Sequence, residues 1–523
     1  MFNKCENCQT ELEYTPEELA VFRRHSVPES KLCADCAHQR RLSFRNEWNL
    51  YKRDCDLCKK SIVTLYRPGT DLVVYCPDCF WGDRWNPLDF GQEIDFERPF
   101  FEQFAELSRK VPLLSSTVIN SSNSEYNSFC VDSRNVYRSA RIGDSEDVFY
   151  SYLVLHTERA MDCYNVSGSQ DMYECLDCFN SNHCYFSQLC RNSSNLRFCY
   201  DMIGCHDCFG SVGLRNVRYY FFNEKCSKEQ YEEKLKQYSF ASQKNLAALY
   251  QQFYRNFVVK LPIRNDVIIN SEACSGNYIQ ESKDVHYSFD VEKTDTGRDS
   301  WGVEYSKDVY RCDFVYYAEN CYENISNSKS HNIVLSFCAL NGCYDLTYCM
   351  LAFNNSHDSF GCLSLKHNQY CILNKQYSEK EYKDLVEKLV NHMKKTGEWG
   401  QFFPPALSLF AYNETPSQEY FPLSRAEVAH FGAAWKEDDQ KEYLPQTYLV
   451  PDFVDEVEDD ILSAILACSD CSKNYRLIER ELDFYRSNQI SVPTKCPYCR
   501  HLDRLKLRNP KKLWSRYGKY PVF

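Results

Sequence analysis

Residues 171–223 read DMYECLDCFNSNHCYFSQLCRNSSNLRFCYDMIGCHDCFGSVGLRNVRYYFFN, and like residues return at intervals of 24. Asp147-Val148, Asp171-Met172 and Asn195-Leu196 form one series; Cys175 and Cys199 form a second, Cys184 and Cys208 a third. The pattern resumes downstream as Asp284-Val285, Asp308-Val309 and Asn332-Ile333. A fixed period in the twenties is the mark of a solenoid, in which each repeat buries its apolar side only against its neighbours. Short runs of Val, Leu, Tyr, Phe and Cys between Ser, Asn and Asp suit brief strands joined by tight turns. The predicted fold is mainly β: two tandem right-handed parallel β-solenoid blocks with coils of ~24 residues, each closed by helices. On that period Cys175 stacks over Cys199 and Cys184 over Cys208 as interior thiols. The alternatives are metal at the knuckle-spaced pairs Cys175–Cys178 and Cys205–Cys208, or disulfides. Asp147, Asp171, Asp284 and Asp308 read as turn formers bonding to local backbone, against a row of reactive carboxylates.

The stretch ends in a segment that the chain repeats 151 residues later without a gap. Leu214, Tyr219, Asn223, Ser227 and Tyr231 return as Leu365, Tyr370, Asn374, Ser378 and Tyr382. Ser227 with Gln230 makes a capping box, so a helix is predicted from 228 and a second from about 242. Such helices would cover the open end of each block, where strand edges are exposed. Residues 380–395, FFEQFAELSRKV after Arg98-Pro99, and RAEVAHFGAAWKEDDQ also read as helices.

The chain ends carry a different cysteine pattern. Cys5-x2-Cys8 is answered by Cys33-x2-Cys36, Cys55-x2-Cys58 by Cys76-x2-Cys79, and Cys468-x2-Cys471 by Cys496-x2-Cys499. Each pair is a tight turn presenting two thiolates, and two turns close a tetrahedral shell of four sulfurs. Four protein ligands leave no open position, which favours structural over catalytic metal. The expected content is about three Zn2+ per chain. The first and last modules are duplicates. Glu18-Leu19 aligns with Glu481-Leu482, Phe22-Arg23 with Tyr485-Arg486, Arg41-Leu42 with Arg504-Leu505, Arg45-Asn46 with Arg508-Asn509, and Arg53 with Arg516.

The run Cys468-Ser-Asp-Cys471, Glu481-Leu-Asp-Phe-Tyr485, Pro493, Cys496-Pro-Tyr-Cys-Arg500 resembles the zinc-ribbon domain of uncharacterised bacterial and viral proteins. The N-terminal copy departs from it, with Val21 and Ala37 in place of the Phe and the Arg. Zinc ribbons flanking Cys/Tyr-rich repeats resemble an uncharacterised family of such proteins. Some members bear a CoA-transferase label, which no motif in this chain supports. The resemblance implies an architecture and no activity.

The 523 residues include 30 Cys, 39 Tyr and 33 Phe, with a net charge of −12. That charge disfavours whole-surface adsorption to nucleic acid or anionic membrane. No apolar run is long enough to span a bilayer, and MFNKCENCQT lacks the regions of a secretory signal. The expected setting is the reducing cytoplasm, with thiols free or on metal. The expected organisation is zinc modules at 1–84, an aromatic docking segment and helix at 85–120, and solenoid blocks at 121–223 and 261–374. Helical closures fall at 224–260 and 375–450, an acidic linker at 451–462 and the C-terminal ribbon at 463–523.

No phosphate-cradling glycine loop, GxSxG or HExxH occurs, and no catalytic residue is assigned. The interaction signal is the tail of Arg500, Arg504, Lys506, Arg508, Lys511, Lys512 and Arg516, with Trp514 and Tyr517 interleaved. It suits nucleic-acid backbone, or else forms a solvated or acid-paired helix face. The reading is a zinc-binding, non-enzymatic scaffold with an unidentified protein partner and no membrane. The alternatives are an RNA- or DNA-associated zinc-ribbon protein and a carbohydrate-active β-helix protein.

Overall fold

The computed structural model describes residues 3–255, 257–260, 264–437 and 443–513. The chain divides into two compact units. One joins Met1–Ser116 to Asn265–Glu437 and the residues from Lys511; the other joins Thr117–Arg264 to residues 438–510. Each unit holds one solenoid block together with the ribbon or ribbons from the opposite end of the sequence.

Both blocks are parallel β-solenoids, as the repeats predict, but the coil is half the expected length. Ala140 pairs with Tyr152, Tyr152 with Tyr164 and Tyr164 with Leu176 on one face, a register of twelve. On the other, Glu146 pairs with Glu158, Glu158 with Gln170 and Gln170 with Asn182. The period of 24 therefore spans two coils. Cys175 and Cys199 lie at the solenoid interior, but the Ser187 coil separates them. Cys184 and Cys208 are likewise separated, by Leu196.

Each coil is built from triplets. In 170–181, Asp171, Glu174, Asp177 and Asn180 have φ of 54°, 50°, 54° and 49°. The residue after each, Met172, Cys175, Cys178 and Ser181, points inward and is fully buried. The third of each triplet points outward. The left-handed positions turn the chain by a quarter at every third residue, and residues other than glycine occupy most of them. That is costly for side chains with a Cβ, and the stack of neighbouring coils holds them there.

Inward positions alternate between apolar residues and Ser, Thr or Cys. The Ser181 hydroxyl donates to the Phe179 carbonyl and accepts the Ser193 amide of the next coil at 3.3 Å. Ser133, Ser145, Ser169 and Ser193 do the same up the stack. These corner amides lie outside the strand ladders and would otherwise be buried without a partner. Asp147 and Asp171 accept from Asn135 and Arg159, one coil earlier. These acids therefore join the coils to one another, in place of the local turn bonds expected of them.

The 151-residue echo is the ending of a solenoid. Asn223 Oδ1 accepts the Val212 amide at 2.7 Å and its Nδ2 donates to the Val212 carbonyl at 2.9 Å. Asn374 makes the same pair with Leu363, both at 2.8 Å. The last parallel strand then pairs with an antiparallel one, Tyr220 with Lys225 and Cys371 with Gln376, so the edge is closed. The capping boxes of Ser227 and Ser378 start the helices Lys228–Leu235 and Glu379–Thr396, and Tyr231 and Tyr382 pack on Tyr219 and Tyr370. In the second unit the helices do more than cover the last coil. Tyr250 lies against Phe186 and Phe198, up to three coils back, so the helical segment lines the side of the solenoid.

In residues 451–462 the acidic side chains from Asp455 to Asp460 are exposed while the apolar ones are pinned. Val454, Val457 and Ile461 enter the same core as Phe198 and Phe209, and Asp452 accepts the Ser242 hydroxyl at 2.8 Å. In the first unit, Phe100–Ser108 is the helix expected there; Phe100 packs on Tyr348 and Phe360, and Trp85 lies beneath the Lys366 ammonium. Arg425–Phe431 forms the shorter part of its expected helix, and residues 438–442 lie outside the described residues.

Candidate metal centres and their docking faces

All three four-cysteine groups assemble. Cys5, Cys8, Cys33 and Cys36 bring their sulfurs within 4.8 Å of one another, as do Cys55, Cys58, Cys76 and Cys79, and Cys468, Cys471, Cys496 and Cys499. Each group can hold a metal ion. The sequence builds them by one local plan. The first CxxC of each lies in a knuckle whose next residue is left-handed: Gln9, Lys59 and Ser472, with φ of 62°, 62° and 61°. The second CxxC opens a helix, so Cys33, Cys76 and Cys496 stand at N-cap positions of Ala34–Leu42, Pro77–Trp81 and Pro497–Lys506.

Neighbouring sulfurs are 3.6 Å apart at Cys8–Cys33 and 3.8 Å at Cys58–Cys76 and Cys471–Cys496. A disulfide would need about 2.05 Å. Donors already face the thiols. The Cys76 amide donates to Cys55 Sγ at 3.3 Å, the Cys496 amide to Cys468 Sγ at 3.2 Å, Asn7 Nδ2 to Cys36 Sγ at 3.2 Å and Arg84 Nη2 to Cys79 Sγ at 2.9 Å. The Cys36 hydrogen bond draws the Cys33 thiol down to about 7. For Cys55 and Cys468 burial pushes upward, and backbone amides overcome it to leave them at about 6 and about 7. Depressed thiols are ready metal ligands.

Within the same groups Cys36, Cys76, Cys79, Cys496 and Cys499 are pushed up, Cys496 to about 11, and among the solenoid thiols Cys178 is drawn down while most are raised. Burial pushes Cys130 up to about 11, and Cys208, Cys321, Cys343 and Cys371 up to about 12. Among the described residues, neither Cys175–Cys178 nor Cys205–Cys208 belongs to a group whose ligand atoms converge.

The first and last ribbons each press one helix onto a solenoid block. In the first unit, Arg41 Nε meets Asp313 Oδ2 at 2.7 Å with both side chains wholly buried. His38 stacks on Trp301, and the Arg45 guanidinium lies over Phe314. In the second unit, Arg504 reaches Asp162 at 2.9 Å and Glu174 at 3.2 Å. Arg500 joins Asp162 at 3.0 Å and Glu481 at 3.3 Å, Arg508 joins Asp177 at 2.7 Å, and His501 stacks on Tyr164. The docking set is thus His-x2-Arg-x3-Arg in both copies, residues 38, 41 and 45 against 501, 504 and 508. The histidines escape the sequence reading, although the alignment that pairs Arg41 with Arg504 also pairs His38 with His501. The middle module docks differently, through Phe80 and Trp81 on Phe353 and through Lys366 Nζ donating to the Phe80 carbonyl at 2.7 Å.

This placement changes the reading of the basic tail. Arg500, Arg504 and Arg508 are buried among carboxylates, so a phosphate would have to displace them. The Lys511 ammonium lies over the Trp301 and Tyr420 rings. Lys506 is exposed and pairs with Asp503 at 2.8 Å, and Lys512 is exposed. Arg516, Trp514 and Tyr517 lie outside the described residues.

Comparison of the chain with protein-family models finds no match, and comparison with curated proteins finds none either. Among the described residues, no helix is long and apolar enough to cross a membrane.

Proposed function

We propose that the protein is a zinc-binding, non-catalytic scaffold of a reducing cytoplasm. Its ribbons fasten to the sides of two β-solenoid blocks whose remaining faces are offered to a protein partner. The observation that carries this reading is the convergence of three complete sets of four thiols. A zinc–sulfur bond of about 2.3 Å gives a tetrahedron with edges of about 3.8 Å, the spacing seen at Cys58–Cys76 and Cys471–Cys496. Four sulfurs per site exclude substrate from the metal and assign it to folding. The resemblance of residues 468–500 to zinc-ribbon domains points the same way. The nucleic-acid alternative has most of its residues engaged in docking, and no observation favours it over the scaffold.

Metal analysis of the purified full-length chain tests the proposal. Three zinc ions per chain are expected, falling to two in Cys58→Ser, with a tetrathiolate charge-transfer spectrum after cobalt exchange. Zinc-free folded protein would overturn the reading, and five or more ions would bring the solenoid thiols into metal binding.

A further inference from the structure

The three metal centres differ in how far their sulfurs are open to solution. Of the twelve candidate ligands Cys8 alone is exposed; eight are buried, and Cys33, Cys58 and Cys471 are half-buried. The cause is local. The knuckle that presents Cys8 is exposed from Glu6 to Glu11, whereas Asp56, Leu57 and Cys58 of the middle knuckle are half-buried. A thiolate that solution can reach is the one an oxidant meets first.

Cys8 also has a second thiol at hand. Its Sγ stands 3.6 Å from Cys33 Sγ, on a separate segment 25 residues away. The Thr10 hydroxyl lies 3.1 Å from Cys8 Sγ. Cys33 in turn leads to the solenoid. It is the N-cap of Ala34–Leu42, the helix whose His38 lies on Trp301 and whose Arg41 meets Asp313. An event at Cys8 therefore reaches the docking helix through one neighbouring sulfur.

We propose that the first centre is a peroxide-responsive switch, in which Cys8 is the thiolate oxidised and Cys33 the thiolate that resolves it; the proposal rests on the zinc reading above. Cys8 Sγ attacks one oxygen of a hydroperoxide. The O–O bond breaks, the other oxygen leaves as hydroxide or alkoxide, and Cys8 becomes a sulfenic acid. Cys33 Sγ then attacks the Cys8 sulfur, so that an S–S bond forms, the S–O bond breaks and hydroxide leaves. Two thiolates lose two electrons and the peroxide gains them. The sulfurs close from 3.6 Å to about 2.05 Å, a shift taken up by the exposed knuckle and by the first turn of the docking helix. Cys5 and Cys36 remain, two ligands where structural zinc takes four, and the ion is released. A reducing setting leaves the centre intact until peroxide appears, and a dithiol with zinc resets it.

The test uses the full-length protein carrying its zinc. A zinc content of three ions per chain, measured first, establishes the metal reading by itself, and failure of the later steps then belongs to the switch; a chain purified without zinc overturns both. Hydrogen peroxide is added from one equivalent upward. Zinc release is followed with a colorimetric chelator, disulfides by peptide mass spectrometry after alkylation, and protection by hydrogen exchange. One ion should leave for one equivalent of peroxide, about tenfold faster than the other two, with Cys8 linked to Cys33 and protection lost over residues 33–45. Dithiothreitol with zinc should restore three ions. Thr10→Val removes no ligand but takes the hydroxyl from the Cys8 sulfur, and it should quicken release severalfold. Release of all three ions at one rate overturns the proposal, as does a first disulfide at Cys58–Cys76 or Cys471–Cys496. So do a wild-type rate in Thr10→Val and unchanged protection over residues 33–45 once the Cys8–Cys33 disulfide has formed.

Discussion

The helix Ala34–Leu42 meets its solenoid block with one buried arginine on Asp313, with Glu323 at 3.8 Å, whereas Pro497–Lys506 meets its own with two arginines on Asp162 and with Glu174 and Glu481 nearby. The extra arginine, Arg500, stands where the first ribbon has Ala37. Both interfaces add a stacked histidine, His38 on Trp301 and His501 on Tyr164, and the first also sets Phe22 edge-on to Tyr322. A duplicated module thus docks by the same three positions on two surfaces, and the mixture of charge and packing is set by what each solenoid offers. Buried charge fixes register but contributes little net stability, whereas breaking it is severe.

The comparison breaks most sharply at the metal. Cys36→Ser and Cys499→Ser remove equivalent ligands, and each should lose one metal ion. Structural zinc contributes on the order of 10 kcal/mol to folding of such modules. Hydrogen exchange should therefore show the affected ribbon and its docking face opening while the other unit stays protected. The two sites should also differ. Cys8 is exposed, whereas the last ribbon buries three of its four sulfurs and half-buries the fourth. A chelator titration should empty the first site before the last; the reverse order would show that exposure of a ligand does not govern release.

Removing one acid tests the charge difference. Asp162→Ala takes the shared acid from two guanidinium groups, leaving them Glu174 and Glu481, and Asp313→Ala takes the nearer acid from one, leaving it Glu323. Breaking a buried pair costs about 3–5 kcal/mol, with Asp162→Ala at or above the upper end and Asp313→Ala at the lower. Denaturant unfolding of the two variants measures it, and equal losses would mean that Arg500 finds sufficient compensation at Glu481.

The units should also answer pH with opposite sign. Burial, with Asp162 adding to it and Arg504 opposing, raises Glu174 to about 7. The folded form then holds a proton that the unfolded chain releases near 4.5. This stability is complete below about pH 4.5 and is lost as pH rises through 7. At most it amounts to about 3 kcal/mol. In the first unit, burial and Arg24 lower His25 to about 4. Its contribution is present above about pH 6.5 and is lost as pH falls through 4. Glu174→Gln should flatten the second unit's decline between pH 5 and 8, and His25→Phe should flatten the first unit's decline on the acid side. Unit-resolved hydrogen exchange across pH 4–8 would show whether the slopes oppose.

The metal groups were legible because their ligands are close in sequence and identical in kind. The solenoid was legible as a class but not in its period. Its inward positions alternate chemically, Met172 then Cys175 then Cys178 then Ser181, so the six-residue step between like positions is blurred. Asp171 with Asn195, or Cys175 with Cys199, happen to match two coils apart. The left-handed corners were hidden because Phe129, Leu153 and Phe198 occupy them, residues that give no turn signal. The fate of the tail was hidden by distance, since Asp162 and Asp177 lie more than 300 residues from their arginines. One clue was present. Of the basic residues at 500–512, only Arg504 and Arg508 have basic equivalents in the first ribbon, and those are the positions that dock in both.

The smallest expected effect tests whether the two solenoids are held by one device. Ser181 Oγ accepts the Ser193 amide in the first block, and Ser336 Oγ accepts the Cys349 amide at 3.1 Å in the second. The second pair spans thirteen residues, because two successive coils of this block carry one extra corner residue each, near Gly342 and Asn355. The added residue lengthens the corner without moving the serine off its amide. If the hydroxyl is what fixes the coil, Ser181→Ala and Ser336→Ala should each cost about 1–3 kcal/mol, the penalty of a buried amide left without an acceptor. Cysteine at either position should cost less than alanine, because the sulfur accepts weakly, as Cys362 Sγ does from the Asn374 amide at 3.3 Å. Alanine losses near zero at Ser336 but not at Ser181 would show that the longer coils satisfy their corners by other means.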